Sequence, residues 1–164
     1  MIQCVAFDFD GTLVDSNEIK RRSFFEVVAE HDPDGAIATE VLDEIRPGDR
    51  YAVTREMARI LSKRGMIPAD ADRAALACAW AEDYGRRCEE AVSRCPEIPG
   101  AEAALAWLDG RGIPRYINSA TPEASLRRTV ERRFMSPGFQ LVLGGPASKV
   151  ANLERIREHV QNVE

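Results

Sequence analysis

A short apolar run, Ile2, Cys4, Val5, Ala6 and Phe7, ends in two acids two residues apart, Asp8 and Asp10, with Gly11-Thr12 directly after. A run of that length bounded by turn residues reads as a buried strand. A chain that carries charge at the C-terminal tip of such a strand has few architectures open to it, because open α/β sheets assemble their sites at these tips. Like charges brought together there cost several kcal/mol unless a cation or hydrogen bonds compensate. The pair therefore points to a site in which one acid can attack while one or both hold a hard metal ion, acting on phosphate.

The remaining apolar segments fall into two kinds. Pro114–Ile117 and Phe139–Leu143 are short and follow Gly- or Pro-containing turns (Gly110-Arg111-Gly112 and Ser136-Pro137-Gly138), so both are predicted strands. Helical spacing fills the intervals, with faces made by Ala101, Ala104, Leu105 and Leu108, by Leu126, Val130 and Phe134, and by Leu153, Ile156 and Val160. Strand and helix in alternation imply a parallel sheet with right-handed crossovers. Residues 16–96 break the rhythm. They hold no convincing strand and at least three helical patterns: Phe24, Val27 and Val28; Val53, Met57, Ile60 and Leu61; and Leu76, Trp80 and Tyr84 within the Ala-rich stretch Ala69–Ala91. Turn signals separate them, and Pro96-Glu97-Ile98-Pro99-Gly100 closes the segment. The expected organisation is a core of residues 1–15 and 97–164 with an all-helical insertion, 16–96, placed to act as a lid.

Composition narrows the function. The 164 residues carry a net charge of −5 with no basic stripe, which argues against nucleic acid as a partner. No stretch approaches the roughly 18 apolar residues of a membrane span, and Asp8 cuts the N-terminal apolar run short, so no membrane or secretory segment is expected and the cytoplasm is the default. Cys4, Cys78, Cys88 and Cys95 show neither a C-x-x-C pair nor zinc spacing and read as reduced, mostly buried thiols. His31 and His159 lie far from the acids in sequence and read as surface residues.

The ten residues Phe7–Ser16, with D-F-D-G-T at their centre, resemble the first signature of the haloacid dehalogenase-like (HAD) hydrolase superfamily. Tyr116–Pro122 is similar to its second signature, a strand ending in a hydroxyl residue. Gly144–Lys149 is similar to its third, a lysine opening a helix after the third strand. The helical insertion resembles the family's cap. The resemblance implies an α/β fold, a Rossmann-like parallel sheet core with an inserted all-helical cap domain, and the phosphatase branch of the family. It implies Mg²⁺ held by Asp8 and Asp10, Asp8 as nucleophile, and Asp10 as general acid and then base. Phosphoryl oxygens would meet Gly11, Thr12, the Ser119 hydroxyl, the Ala120 N–H and Lys149, whose ammonium would also neutralise Asp8. A lysine in a first helical turn opposes the helix dipole, so a local anion is needed to explain it. Ser119 also reads as a helix cap near Pro122, and Asp15 or Ser16 as the cap of a helix starting near Asn17. In the insertion, Arg46 and Arg50 flank a Pro-Gly turn and could meet an anionic group of the substrate.

Departures from the pattern discriminate further. The acid at Asp10 separates this chain from the dehalogenases, which have no leaving oxygen to protonate. Lys20 and Lys63 are the only lysines in the insertion, and both sit on charged helical surface rather than where a phosphonate hydrolase would form a Schiff base. Lys20 also stands near the place where the family's sugar-phosphate mutases carry a histidine. The fourth signature, an acidic pair at a further strand tip, is absent, since Glu154, Glu158 and Glu164 lie on a helical pattern. The chain is thus expected to be a truncated form of a longer hydrolase, or to take the missing part from a second segment. Its first strand would then be an unpaired edge open to self-association. The expected function is hydrolysis of a small phosphomonoester through an aspartyl-phosphate. The alternatives are a non-catalytic phosphate-binding module and a sugar-phosphate mutase.

Overall fold

The computed structural model describes residues 2–45, 49–133, 135 and 138–163. Three strands, β1 (Val5–Phe7), β2 (Arg115–Pro122) and β3 (Leu141–Gly145), form one parallel sheet in the order β1-β2-β3. The helices are α1 (Asn17–Val28), α2 (Ala36–Glu44), α3 (Arg50–Lys63), α4 (Arg73–Val92), α5 (Ala101–Asp109), α6 (Glu123–Arg132) and α7 (Lys149–Val163). The chain divides into two compact units, Met1–Asn17 with Glu89–Glu164, and Glu18–Cys88.

In the sheet unit, β2 is the middle strand, and its residues Arg115 to Ser119 are all buried, as expected of a parallel strand covered on both faces. β1 is shorter than its apolar run because pairing begins only at Val5, opposite Arg115. Ile2 is left 58% exposed. Among the described residues β1 pairs on one side only, and Ala6 on it is exposed. β2 is longer than expected. After a register break between Asn118 and Pro122 it pairs again with Gly145, so the passage from strand to helix falls at Pro122 rather than at Ser119.

Two helical faces also differ from the sequence pattern. α5 buries Ala101 and Leu108 but leaves Ala104 exposed. α7 turns Asn152 and Ile156 inward, with Val160 against Tyr116 and Leu143, and leaves Leu153 48% exposed. The inward position goes to Asn152 because its amide donates to the Gly144 carbonyl at 3.3 Å. α6 buries Leu126 and Val130 as its spacing predicts, while Phe134 lies outside the described residues.

The helical unit closes around Phe24, Val28, Ile37, Val41, Val53, Met57 and Leu61, each worth about 1.5–3 kcal/mol on full burial. α2 is the helix that the sequence reading lacks. It is only nine residues long and its cap position is Gly35, with no side-chain cap bond. Its amides are served from further back: buried Asp32 accepts from the N–H groups of Ile37 and Ala38 at 3.2 and 2.8 Å. Of the cysteines, Cys88 and Cys95 are buried, Cys4 is half-buried and Cys78 is exposed, contrary to a mostly buried set. Neither histidine is a plain surface residue. His159 meets Tyr116 edge-on, with Nδ1 3.2 Å from the phenol oxygen, and His31 lies beside Trp80.

The outgoing and returning connections of the helical segment run together. Val14 bridges Glu97 antiparallel, the Asp15 N–H donates to the Pro96 carbonyl at 2.9 Å, and the Ile98 N–H donates to Leu13 at 3.1 Å. Nearby in sequence, the last turn of α4 is tied to α6 through Glu89, which accepts from Arg128 at 2.7 Å and from Ser125 at 3.0 Å and meets Arg132 at 3.3 Å. The Arg128 hydrogen bond holds the Glu89 carboxyl below its ordinary 4.5; burial opposes this, and Ser125 and the charges of Arg128 and Arg132 reinforce it. A lowered folded pKa gives stability that is present above the unfolded value and lost as pH falls through the folded one. Glu89→Gln is therefore expected to cost about 1 kcal/mol at neutral pH. In urea melts its deficit against the unmodified protein should shrink as pH falls below 4.5. A deficit unchanged in acid would show that the charge contributes nothing.

Candidate active site

β1 ends at Phe7, and Asp8, Phe9 and Asp10 follow it directly. Phe9 is buried, and its carbonyl collects the N–H groups of Leu13 at 3.0 Å and Val14 at 3.2 Å, with Thr12 at 3.4 Å. The loop is thus wound around one carbonyl and anchored by the buried side chains of Leu13 and Val14. Gly11 turns it at φ +70, a conformation that L side chains resist, and a Cβ there would also strike the Asn17 amide. The N–H groups of Gly11 and Thr12, expected on phosphate, close this turn on Val14 and Phe9, and Thr12 is exposed.

Asp8 Oδ1 accepts from the Phe9 N–H at 2.8 Å, and Oδ2 meets Lys149 Nζ at 2.6 Å. Lys149 is the first residue of α7. Both partners are open to solvent, 44% for the lysine and 38% for the aspartate. An exposed pair contributes about 0–1 kcal/mol, and a cation at a helix N-terminus loses roughly 0.3–1 kcal/mol. The two nearly cancel, so the arrangement does little for stability.

Asp10 is held from two sides. Ser16 donates to Oδ1 and Thr121 to Oδ2, each at 2.7 Å. Ser16, read from sequence as a helix cap, is fully buried and gives its proton to Asp10. Thr121 was not singled out from sequence at all. It lies two residues past Ser119, and its own N–H donates to Ser119 Oγ at 3.1 Å. Ser119 is 1% exposed and follows the rung at which Ile117 sits between Phe7 and Val142. Ala120, beside it, is exposed. Hydrogen bonds therefore run from Ser119 through Thr121 and Asp10 to Ser16, while Lys149 joins Asp8 from the third strand's end.

β3 can approach this junction because Gly144 has no side chain. A Cβ there would collide with the Thr121 carbonyl and the Glu123 backbone. The Gly144 N–H donates to Glu123 Oε2 at 3.2 Å. Burial raises the Glu123 carboxyl, but that N–H, Arg127 and Arg155 outweigh it and leave the group below its ordinary value.

Arg50 is occupied inside the helical unit, its guanidinium over the Tyr51 ring at 5.2 Å and against Gly85 of α4. Arg46 lies outside the described residues. Glu154 and Glu158 are exposed on α7. Among the described residues no group of three or more acids, histidines or cysteines is placed to hold a metal ion. The donors on offer are the hard carboxylate oxygens of Asp8 and Asp10, and their chemistry fits Mg²⁺, which is content with one or two carboxylates plus water and substrate oxygens.

Comparison with known proteins bears on the family and the fold. A family model described as haloacid dehalogenase-like hydrolase matches residues 2–154. Among solved structures, the chain resembles a predicted phosphoglycolate phosphatase of Haemophilus somnus 129PT (TM-score 0.64, 17% identity, 88% of this chain and 63% of that one). It also resembles CbbY of Rhodobacter sphaeroides in complex with phosphate (0.58, 21%, 88% and 64%) and the magnesium-bound YfnB of Bacillus subtilis (0.54, 20%, 87% and 65%). Identities this low bear on the fold. The chain spans less than two thirds of each of these three relatives. No curated protein matches it.

Thr121→Val keeps the shape at this position and removes the donor to Asp10. It is expected to lower hydrolytic turnover about tenfold while leaving stability within roughly 1 kcal/mol. Turnover assays beside thermal melts check this, and unchanged turnover would show that the Asp10 orientation does not matter.

Proposed function

The chain belongs to the haloacid dehalogenase-like hydrolases, and from that premise we propose that it hydrolyses a small phosphomonoester through a phosphorylated Asp8. The observation that carries this reading is the contact of Lys149 Nζ with Asp8 Oδ2 at 2.6 Å, beside a second acid held by two hydroxyls. A phosphoryl group entering between the strand tips brings negative charge to Asp8, and the ammonium offsets both charges.

In the first step the Asp8 carboxylate attacks phosphorus. Asp10 enters this step as the neutral acid: the ester P–O bond breaks, and the leaving alkoxide takes the Asp10 proton, giving the alcohol, an aspartyl-phosphate and an Asp10 carboxylate. In the second, water attacks phosphorus and gives its proton to Asp10, releasing phosphate and restoring Asp8. Ser16 and Thr121 keep the Asp10 carboxyl group in one orientation through both steps, and Ser119 with the Ala120 N–H would meet the phosphoryl oxygens. Mg²⁺, held by Asp8 and Asp10, would supply neutralisation of phosphoryl charge. Among the described residues no helix is long and apolar enough to cross a membrane.

Asp8→Asn removes the attacking charge with almost no change of shape. It is expected to abolish release of inorganic phosphate from p-nitrophenyl phosphate while leaving the thermal melt unchanged. Turnover in the unmodified protein should vanish in EDTA and return with millimolar Mg²⁺. Phosphate release that survives Asp8→Asn would overturn the mechanism. Phosphate binding without any turnover would favour the non-catalytic module.

A further inference from the structure

Strand β2 carries a buried amide that the mechanism above does not use. Asn118 is 6% exposed, sits opposite Leu143 of β3 and follows the fully buried Ile117. Its Nδ2 donates to the backbone carbonyl of Lys149 at 2.9 Å. Its Oδ1 is buried with no hydrogen-bond partner. An unpaired buried carbonyl costs about 1–3 kcal/mol, so an aliphatic residue would suit this strand better, and the amide needs a reason for being there.

A second buried amide repeats the pattern on the same helix. Asn152, fully buried, donates from Nδ2 to the Gly144 carbonyl of β3 at 3.3 Å, while its Oδ1 receives Arg155 at 3.4 Å. Within the first turn of α7 the Ser148 side chain accepts the Ala151 N–H at 3.1 Å. The two asparagines therefore tie that turn to β2 and to β3 at once. Lys149, the residue whose carbonyl is held, is the one whose ammonium spans to Asp8.

We propose that Asn118 is a positioning residue that fixes the backbone of Lys149, so that its ammonium reaches Asp8 and the phosphoryl group at the strand tips. Lys149 has a long side chain that is 44% exposed and an ion pair too open to hold it alone. Its aim must come from the backbone. The unsatisfied Oδ1 is the cost of carrying a donor on the middle strand. Asn152 performs the same task from the other side, more weakly given its longer bond.

This inference rests on the phosphatase reading for its consequence but not for its geometry, and the test separates the two. Asn118→Leu removes the donor and the orphan acceptor together, so folding should be retained or improved; Asn118→Val serves if the leucine variant does not fold. A crystal structure of the variant is expected to show Lys149 Nζ displaced beyond hydrogen-bond distance of Asp8. An unchanged contact would overturn the proposal, whatever the protein's activity. In solution, a double-mutant cycle reads the coupling. Asn118→Leu should lower kcat/KM for p-nitrophenyl phosphate about tenfold, and should have no further effect in a Lys149→Ala background. Equal losses in both backgrounds would mean that Asn118 acts by another route, and the proposal would fall. If the unmodified protein shows no turnover, the same cycle is run on affinity for inorganic phosphate. In that case the phosphatase reading fails while the positioning role stands or falls on the displacement of Lys149.

Discussion

Pairing β2 in parallel with both of its neighbours decides which residues of three distant segments meet. Once Ile117 is opposite Phe7 on one side and Val142 on the other, the C-terminal ends of all three strands lie along one edge. Asp8, Ser119 and the turn that leads to Lys149 then have nowhere else to go. A slip of one residue in either pairing would turn the side chains of β2 to the opposite face and take Ser119 out of line with the tips of its neighbours. The fully buried run through Ile117 makes that slip expensive, so the apolar middle of the strand holds the polar end in place.

The polar end stabilises the fold little. Its central ion pair is half-exposed and works against a helix dipole, and its middle strand carries an amide with one atom unsatisfied. A chain selected for stability alone would carry neither. What these residues share is direction. Hydroxyls of Ser16 and Thr121 converge on Asp10, and amides of Asn118 and Asn152 hold the turn that bears Lys149. Gly144, which admits no side chain, lets β3 come close enough for these bonds to form. Stability is supplied elsewhere, by buried side chains such as Leu126, Val130 and Leu143 and by ties such as Glu89 to Arg128.

In the helical unit the periodic pattern was legible wherever a long apolar stripe existed, as in α3 and α4. It was not legible for α2, whose nine residues follow a turn and whose amides are capped by Asp32 from four residues before the helix begins. A cap at that distance leaves no local signature. Leu153 failed in the opposite sense, since it fitted an apolar stripe on α7 but lost the inward place to Asn152. Hydrophobic spacing ranks candidate faces, and a specific hydrogen bond can overrule the ranking.

From the order of residues alone came the parallel α/β architecture, the acids at the first strand tip, the serine of the second and the lysine after the third. The architecture and the acids rest on local regularities, namely period, turn residues, and charge set against an apolar run, whereas the serine and the lysine came from the resemblance of their segments to the family's signatures. The tertiary structure decided the partners. That Thr121 rather than another hydroxyl meets Asp10, that Ser16 serves Asp10 rather than a helix end, and that Asn118 holds the carbonyl of Lys149 are contacts between residues 6, 31 and 111 positions apart. Such contacts exist only after strand register has brought the segments together, and no pattern along the chain encodes a distance in space.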